Sequence, residues 1–289
     1  MTAHAAPEPL QHVLVPLDGS DLARAALIPA RRLLLGASDP TLTLLEVVET
    51  AEPAHLERLK NEALLRLRGE VEEERGRTRR LHRGMRAEVR GPRVSHLVEH
   101  GRAGQQILGV AGRFGVDTVA MTTHGRSGMG RLVRGSVAEE VLRATPVPLL
   151  VCTQCATRLA GPGDPFLRLL VPLDGSTLAY QALPLAATIS ARTGAEVVLL
   201  RVGDEQTGGE GCLEHAAERL AGDGVLQVVR DLTRGEPAAA ILEAIERHRV
   251  DLAVMTTHGR SGLDRLRLGS VAEQVLRRSP CPVLIRRGE

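Results

Sequence analysis

The chain has 289 residues, and at roughly 100–200 residues per domain two domains are the starting expectation. Hydrophobic residues make up 43% and charged residues 25%, ordinary globular usage that excludes a disordered chain, a collagen and a coiled coil. The 37 basic side chains nearly balance the 35 acidic ones, which leaves no electrostatic footprint for bulk nucleic acid or a membrane surface.

No run approaches the roughly 18 apolar residues of a membrane span, and Met1–Leu10 lacks the charged-then-apolar layout of a signal peptide. A soluble, cytoplasmic protein is expected. Phe114, Phe166 and Tyr180 are the only aromatic residues, too few for a base-stacking surface. A bound base would lie between aliphatic side chains and backbone groups. Cys152 and Cys155 form a C-x-x-C, but no second pair stands at zinc spacing, and incidental thiols are the expectation.

The chain is a duplication. Leu14–Ser20 reads LVPLDGS, and so does Leu170–Ser176. Ala120–Val151 and Val254–Ile285 agree at 21 of 32 positions. Such a repeat resets the unit being read. The expected organisation is a tail over 1–10, a first copy over 11–152, a linker over 153–167 and a second copy over 168–287.

Each copy alternates strand and helix. Val13–Pro16 and Leu169–Pro172 are short continuous apolar runs, as in strands buried on both faces. After an Asp-Gly-Ser turn come helices over Asp21–Leu35 and Thr177–Arg192, then strands over Leu42–Val48 and Glu196–Val202. A long Glu- and Arg-rich helix follows from about Pro53 to Leu81, with a shorter counterpart over Glu210–Ala221. Strands over Val94–Glu99 and Leu226–Leu232 precede helices over Ala103–Arg113 and Pro237–His248. Strands over Thr118–Thr122 and Leu252–Thr256 lead through a glycine-rich loop to helices over Val137–Arg143 and Val271–Arg277. Val147–Val151 and Val283–Ile285 close the copies. This alternation implies right-handed crossovers and a mostly parallel α/β sheet, whose ligands bind at the carboxyl ends of strands. Pro146, Pro148, Pro280 and Pro282 open the last strands, which marks those strands as edges. Uncovered edges tend to pair, so the two last strands are expected to meet within one chain.

In the glycine loops, Gly135-Ser136 and Gly269-Ser270 stand immediately before helices. Ser136 with Glu139, and Ser270 with Glu273, have the spacing of a capping box. The same geometry suits a phosphate, because backbone N–H groups and the dipole at a helix N-terminus favour an anion. Arg126, Arg131 and Arg134, or Arg260, Arg265 and Arg267, would add charge-assisted contacts.

VPLDGS after the first strand, MTTHGRSG after the fourth and GSVAE into the last helix, in this order and twice, resemble the universal stress protein family in its tandem two-domain form. The resemblance implies Rossmann-like α/β domains, each a five-stranded parallel sheet of order 3-2-1-4-5 flanked by helices. It also implies an ATP site with the signature Gly-x-x-Gly, nine residues, Gly-Ser/Thr. Gly125 with Gly135-Ser136 and Gly259 with Gly269-Ser270 match its later part, while Thr122 and Thr256 replace its first glycine. A β-branched residue resists positive φ, so a site that needs it there must follow another path; a site that needs only the backbone N–H is served as well by threonine.

By the same resemblance, Asp18 and Asp174 stand beside the ribose and any Mg2+ on the phosphates; as plain turn residues they would instead brace the following helix. Val47 and Val202 offer backbone to the adenine edge, or are simple sheet core. Ser136 and Ser270 donate to phosphate, or act only as caps. Pro16, Thr122, His124, Arg126 and Val137, with Pro172, Thr256, His258, Arg260 and Val271, complete the two expected sites.

Other signals point elsewhere. His96 and His100 would pair on a helix, but on a strand they lie roughly 13 Å apart. His124 and His258 beside serines lack a G-x-S-x-G elbow, and no P-loop is present. Glu72–Glu74 followed by arginines suits a solvated helix face with pairs such as Glu73–Arg77. The expected function is a non-enzymatic, ATP-binding stress-response protein, built as an intramolecular pseudo-dimer that could pair again as a homodimer. The alternatives are a ligand-free interaction module and a slow ATP hydrolase.

Overall fold

The apolar runs read as strands pair into one sheet. The computed structural model describes residues 10–49, 57–58, 61–62, 64–66, 68–69, 72–73, 91–122, 136–153, 164–203, 209–257 and 269–288. The first copy contributes β1 (His12–Leu17), β2 (Thr41–Val48), β3 (Arg93–His100), β4 (Thr118–Thr122) and β5 (Leu149–Cys152). The second contributes β6 (Arg168–Leu173), β7 (Glu196–Val202), β8 (Val228–Thr233), β9 (Leu252–Thr257) and β10 (Val283–Arg287). The ten-stranded order is β3-β2-β1-β4-β5-β10-β9-β6-β7-β8, so each copy has the expected 3-2-1-4-5 arrangement. Within a copy neighbouring strands are parallel.

The copies join where the prolines pointed. β5 and β10 pair antiparallel, with Val151 opposite Val283, Leu150 opposite Leu284 and Leu149 opposite Ile285. Leu150 and Leu284 are twins in the repeat, so the pseudo-two-fold axis passes through that pair. Pro148 and Pro282 have no N–H for the ladder, but their carbonyls accept from Val119 and Ala253 at 3.0 Å. Across the junction Thr153 Oγ1 donates to the Ser279 carbonyl at 2.9 Å, and Arg287 Nη1 to the Arg143 carbonyl at 2.6 Å.

Strand alternation sends successive side chains to opposite faces. Val13, Val15, Leu169 and Val171 join a core shared by helices Leu27–Leu33, Leu183–Thr193 and Gly209–Gly222. Leu14, Leu170, Leu200 and Val283 join the core on the other face, under helices Ala103–Arg113, Ser136–Ala144, Pro237–Arg247 and Ser270–Arg278. Both cores draw residues from both copies. At the amino ends, Asp117 accepts the N–H groups of Gln11 and His12 (2.6 and 3.0 Å), and its twin Asp251 those of Leu167 and Arg168 (2.9 and 3.2 Å). Burial pushes the Asp117 carboxyl above its ordinary value, against those hydrogen bonds.

The first helix of each copy departs from the expected continuous span. Copy one has two pieces, Asp21–Arg24 and Leu27–Leu33. Copy two has a 3-10 turn over Ala179–Ala182 before Leu183–Thr193. Pro29 and Pro184 explain both breaks: proline has no N–H for the carbonyl four residues back, and its ring crowds that carbonyl. The expected helix over Pro53–Leu81 is seen in the helical residues among 57–73, and its remainder, Arg77 included, lies outside the described residues. His96 and His100 both lie on β3, as expected. Among the described residues no helix is long and apolar enough to cross a membrane.

Phe166, at the end of the stretch read as linker, belongs to the core. Phe166 is fully buried, with the Arg32 guanidinium 4.1 Å over its ring. Arg32, itself buried, donates to the carbonyls of Asp164 and Pro165 (2.7 and 2.8 Å) and to the Asp251 carboxylate at 3.1 Å. One side chain of copy one thus satisfies two acceptors of the linker and one of copy two. Removing one partner of a buried ion pair costs about 3–5 kcal/mol. Arg32→Met should lose roughly 3 kcal/mol in denaturant unfolding. Arg32→Lys should recover part of it, because an ammonium cannot span the three acceptors and stack on Phe166. A loss below about 1 kcal/mol, the range of an exposed pair, would refute this account.

A second expectation comes from the repeat. Helix Ala103–Arg113 ends at Gly115 with φ +62°, and the twin position after helix Pro237–Arg247 is Arg249 at φ +51°. A side chain in that left-handed region costs roughly 1–2 kcal/mol, which glycine avoids. Arg249→Gly should raise the thermal midpoint, with a net gain of about 0.5–1 kcal/mol after glycine's greater unfolded-state freedom. Gly115→Arg should lower it by a similar amount.

Candidate functional site

In a 3-2-1-4-5 sheet the crossovers leave β1 and β4, or β6 and β9, in opposite directions, and a crevice opens outside their carboxyl ends. In copy two this crevice is a cleft of about 640 Å³, within the range of small-ligand sites. Its wall gathers Pro172 and Asp174 from the end of β6, Val202 from β7, Thr256 from β9, and Gly269, Ser270 and Val271 from the start of the last helix. These seven come from four stretches widely separated in sequence, and all seven were singled out there. Leu200, Ile241 and Met255 add apolar wall.

The turn after β6 is built by its aspartate. Asp174 Oδ1 accepts the Ser176 N–H at 2.9 Å and its hydroxyl at 2.5 Å, while Ser176 Oγ accepts the Ala179 N–H at 3.2 Å. Asp18, Ser20 and Ala23 repeat this at 2.9, 2.5 and 3.1 Å. The bracing role expected of a turn aspartate is therefore present in both copies.

In copy two the capping box is not formed. Gly269, extended at φ −61° and ψ 142°, is the N-cap of helix Ser270–Arg278, and no side chain caps that helix. Ser270 is already the first helical residue, and Glu273 N–H bonds the Gly269 carbonyl at 2.9 Å. Helix Ser136–Ala144 likewise begins at its serine. Because the glycine takes the extended cap conformation, the serine moves one position into the first turn. A helix start without a side-chain cap has amide N–H groups with no intrahelical partner, and this one borders the cleft.

Thr122 and Thr256 do not occupy a left-handed position. Thr122 ends β4 opposite Cys152, and Thr256 lies within β9 opposite Arg286. Positive φ is absent at both, so a β-branched residue costs nothing there.

In copy one, Pro16, Val47 and Thr122 stand on adjacent parallel strands β1, β2 and β4, and Asp18 follows β1. Val47 and Val137 pack on the same core as Met121. His124, Gly125, Arg126 and Gly135, and likewise His258, Gly259 and Arg260, lie outside the described residues. Cys152 is buried in β5, and burial pushes its thiol far above the ordinary value, which disfavours the thiolate that redox or metal chemistry needs; Cys155 is not among the described residues. Among those residues no group of three His, Cys, Asp or Glu could hold a metal.

Arg201 and Pro237 are among the cleft residues that the sequence did not point to. Arg201 lines the wall beside Val202, and Pro237 lines it from the start of helix Pro237–Arg247. Comparing the two copies position by position would have flagged both, since Glu46 and Ala103 are their twins. Behind Ala179, the Tyr180 hydroxyl donates to the Cys212 carbonyl at 3.1 Å, and burial together with Cys212 holds its pKa up to about 12.

Known proteins agree with this architecture. The model of the universal stress protein family matches residues 9–153 and 165–287. A universal stress protein of Methanocaldococcus jannaschii is 32% identical over 136 residues, 41% of this chain and 80% of that relative. Universal stress protein YxiE of Bacillus subtilis is 34% identical over 146 residues, 42% of this chain and 98% of its own length. The crystal structure of a universal stress protein from Archaeoglobus fulgidus, 23% identical, covers 96% of this chain and 98% of its own with a TM-score of 0.72, a likeness of fold. With a family match in each half and the 3-2-1-4-5 sheet in both, this chain belongs to the universal stress protein family.

Proposed function

We propose that this protein binds an adenine nucleotide, ATP, at the carboxyl ends of its strands and acts as a non-catalytic regulatory protein of the stress response. The observation that carries this reading is the cleft of about 640 Å³ that brings Pro172, Asp174, Val202, Thr256, Gly269, Ser270 and Val271 together. Its chemistry suits the ligand. The uncapped start of helix Ser270–Arg278 offers amide N–H groups and a positive dipole end to phosphate, and the Ser270 hydroxyl stands beside them. Val202 ends β7 where backbone can meet an adenine edge between aliphatic walls. Asp174 and Glu273 are the carboxylates of the wall. Mg2+ keeps several waters and takes one or two carboxylates plus phosphate oxygens, so it would depend on bound nucleotide. The Asp174 Oδ1 engaged in the turn favours positioning over catalysis. The same arrangement in copy one is the proposed second site.

Calorimetry with millimolar ATP and magnesium, on protein freed of nucleotide, should give a saturable isotherm. Ser136→Ala with Ser270→Ala should weaken binding by roughly 1–2 kcal/mol, as for a hydrogen bond to a charged group. Because Ser270 does not cap its helix and Ser136 is likewise the first residue of its own, the double variant should keep its melting temperature. A ligand-free interaction module predicts a flat trace from the parent, which would end the nucleotide reading.

Thr122→Gly with Thr256→Gly restores the residue of the family signature. Both threonines sit in strands, so affinity should stay within about twofold, while strand glycines should lower stability by roughly 1 kcal/mol each. A large gain in affinity would show that the site needs a backbone path these strands do not have.

A further inference from the structure

The two copies diverge at one end of the cleft. The residue before Val202 is Arg201, opposite Leu173 of β6; the residue before Val47 is Glu46, opposite Leu17 of β1. Glu46 is buried at 6% exposure and held by the Arg66 guanidinium, from the Arg- and Glu-rich segment that copy two shortens. Among the described residues Arg201 has no such partner. Its Nη1 reaches the Leu173 carbonyl only at 3.4 Å, and its buried Nε has no hydrogen-bond partner among the described residues. A buried donor left unpaired costs free energy that an incoming acceptor can restore. Charge-assisted bonds from a guanidinium to phosphate are the strongest such replacement.

A second difference reinforces the first. In copy one Glu49 Oε1 accepts the Ala103 N–H at 2.6 Å, tying the end of β2 to helix Ala103–Arg113. Pro237 holds the twin position in copy two and has no N–H to give. Its helix is capped instead by Glu236, which accepts from Ala238 and Ala239 at 3.2 and 2.8 Å. Copy one therefore places the Glu46 carboxylate, paired with Arg66, at the strand position where copy two places the weakly engaged Arg201 guanidinium.

We infer that the two clefts are unequal nucleotide sites. The second copy holds the polyanion tightly with Arg201 as its specificity-determining residue, and the first holds it at least about tenfold more weakly, the worth of one charged hydrogen bond. This rests on the nucleotide reading above.

Calorimetry of ATP with magnesium on the full chain separates the two ideas. The parent should show one tight and one weak site. Gly269→Val, at an extended residue that accepts a side chain without strain, should remove the tight site alone. Arg201→Gln should weaken the tight site about tenfold, whereas Arg201→Lys, which keeps the charge, should lose less. Glu49→Gln removes a carboxylate without touching copy two and should strengthen the weak site. This last arm stays informative if Arg201→Gln fails to fold by circular dichroism. Two equal sites in the parent, a tight site that survives Gly269→Val, or a tight constant unmoved by Arg201→Gln would overturn the inequivalence and leave nucleotide binding standing. A parent with no saturable site would overturn both.

Discussion

The antiparallel contact between β5 and β10 organises the rest of the molecule. Three residue pairs centred on Leu150 and Leu284 convert two five-stranded sheets into one of ten strands. Each copy thereby loses its proline-led edge, and only β3 and β8 remain at the margins. Because the pairing is antiparallel, the carboxyl ends of the two copies point in opposite directions. The crevices at β1/β4 and β6/β9 consequently open on opposite edges of the sheet, with the shared cores between them.

Joining two sheets edge to edge also makes their faces continuous, and both hydrophobic cores run across the junction. A seam made only of backbone pairing and aliphatic packing would leave the tilt between copies loosely specified. Arg32 adds direction. Its planar fork fits the Asp164 and Pro165 carbonyls, the Asp251 carboxylate and the Phe166 ring in one orientation. Asp251 is the residue that anchors β6, so the seam and the start of the second sheet share one carboxylate. Its twin Asp117 anchors β1, with burial raising its pKa.

The two copies share one architecture, and three of their differences lie where the backbone is special or the site is charged. Gly115 and Arg249 share a left-handed turn at different steric cost. Glu46 and Arg201 share a strand-end position with opposite charge, and Ala103 and Pro237 share a helix start with and without a donor. None of these exchanges alters the apolar period of its element, so the fold tolerates all three. The last two change the polar chemistry at the mouth of each crevice.

Strand positions, the repeat and the meeting of the last strands were legible in the sequence, because each depends on local signals: continuous apolar runs, turn residues and prolines that cannot donate. So were seven residues of the second cleft, since motifs at strand ends converge in any sheet of this order. Three things were decided only by the tertiary structure. Pro29 and Pro184 broke helices that composition alone would have continued, because the lost bond falls on a carbonyl four residues away. Gly269 took the cap and moved Ser270 into the helix, since spacing does not report which backbone conformation each residue adopts. Arg201 became part of the cleft, and Arg32 and Phe166 part of the seam, through contacts between residues distant in sequence. Periodicity records which face a side chain occupies, whereas partners across 20 or more residues are set by how the sheets close.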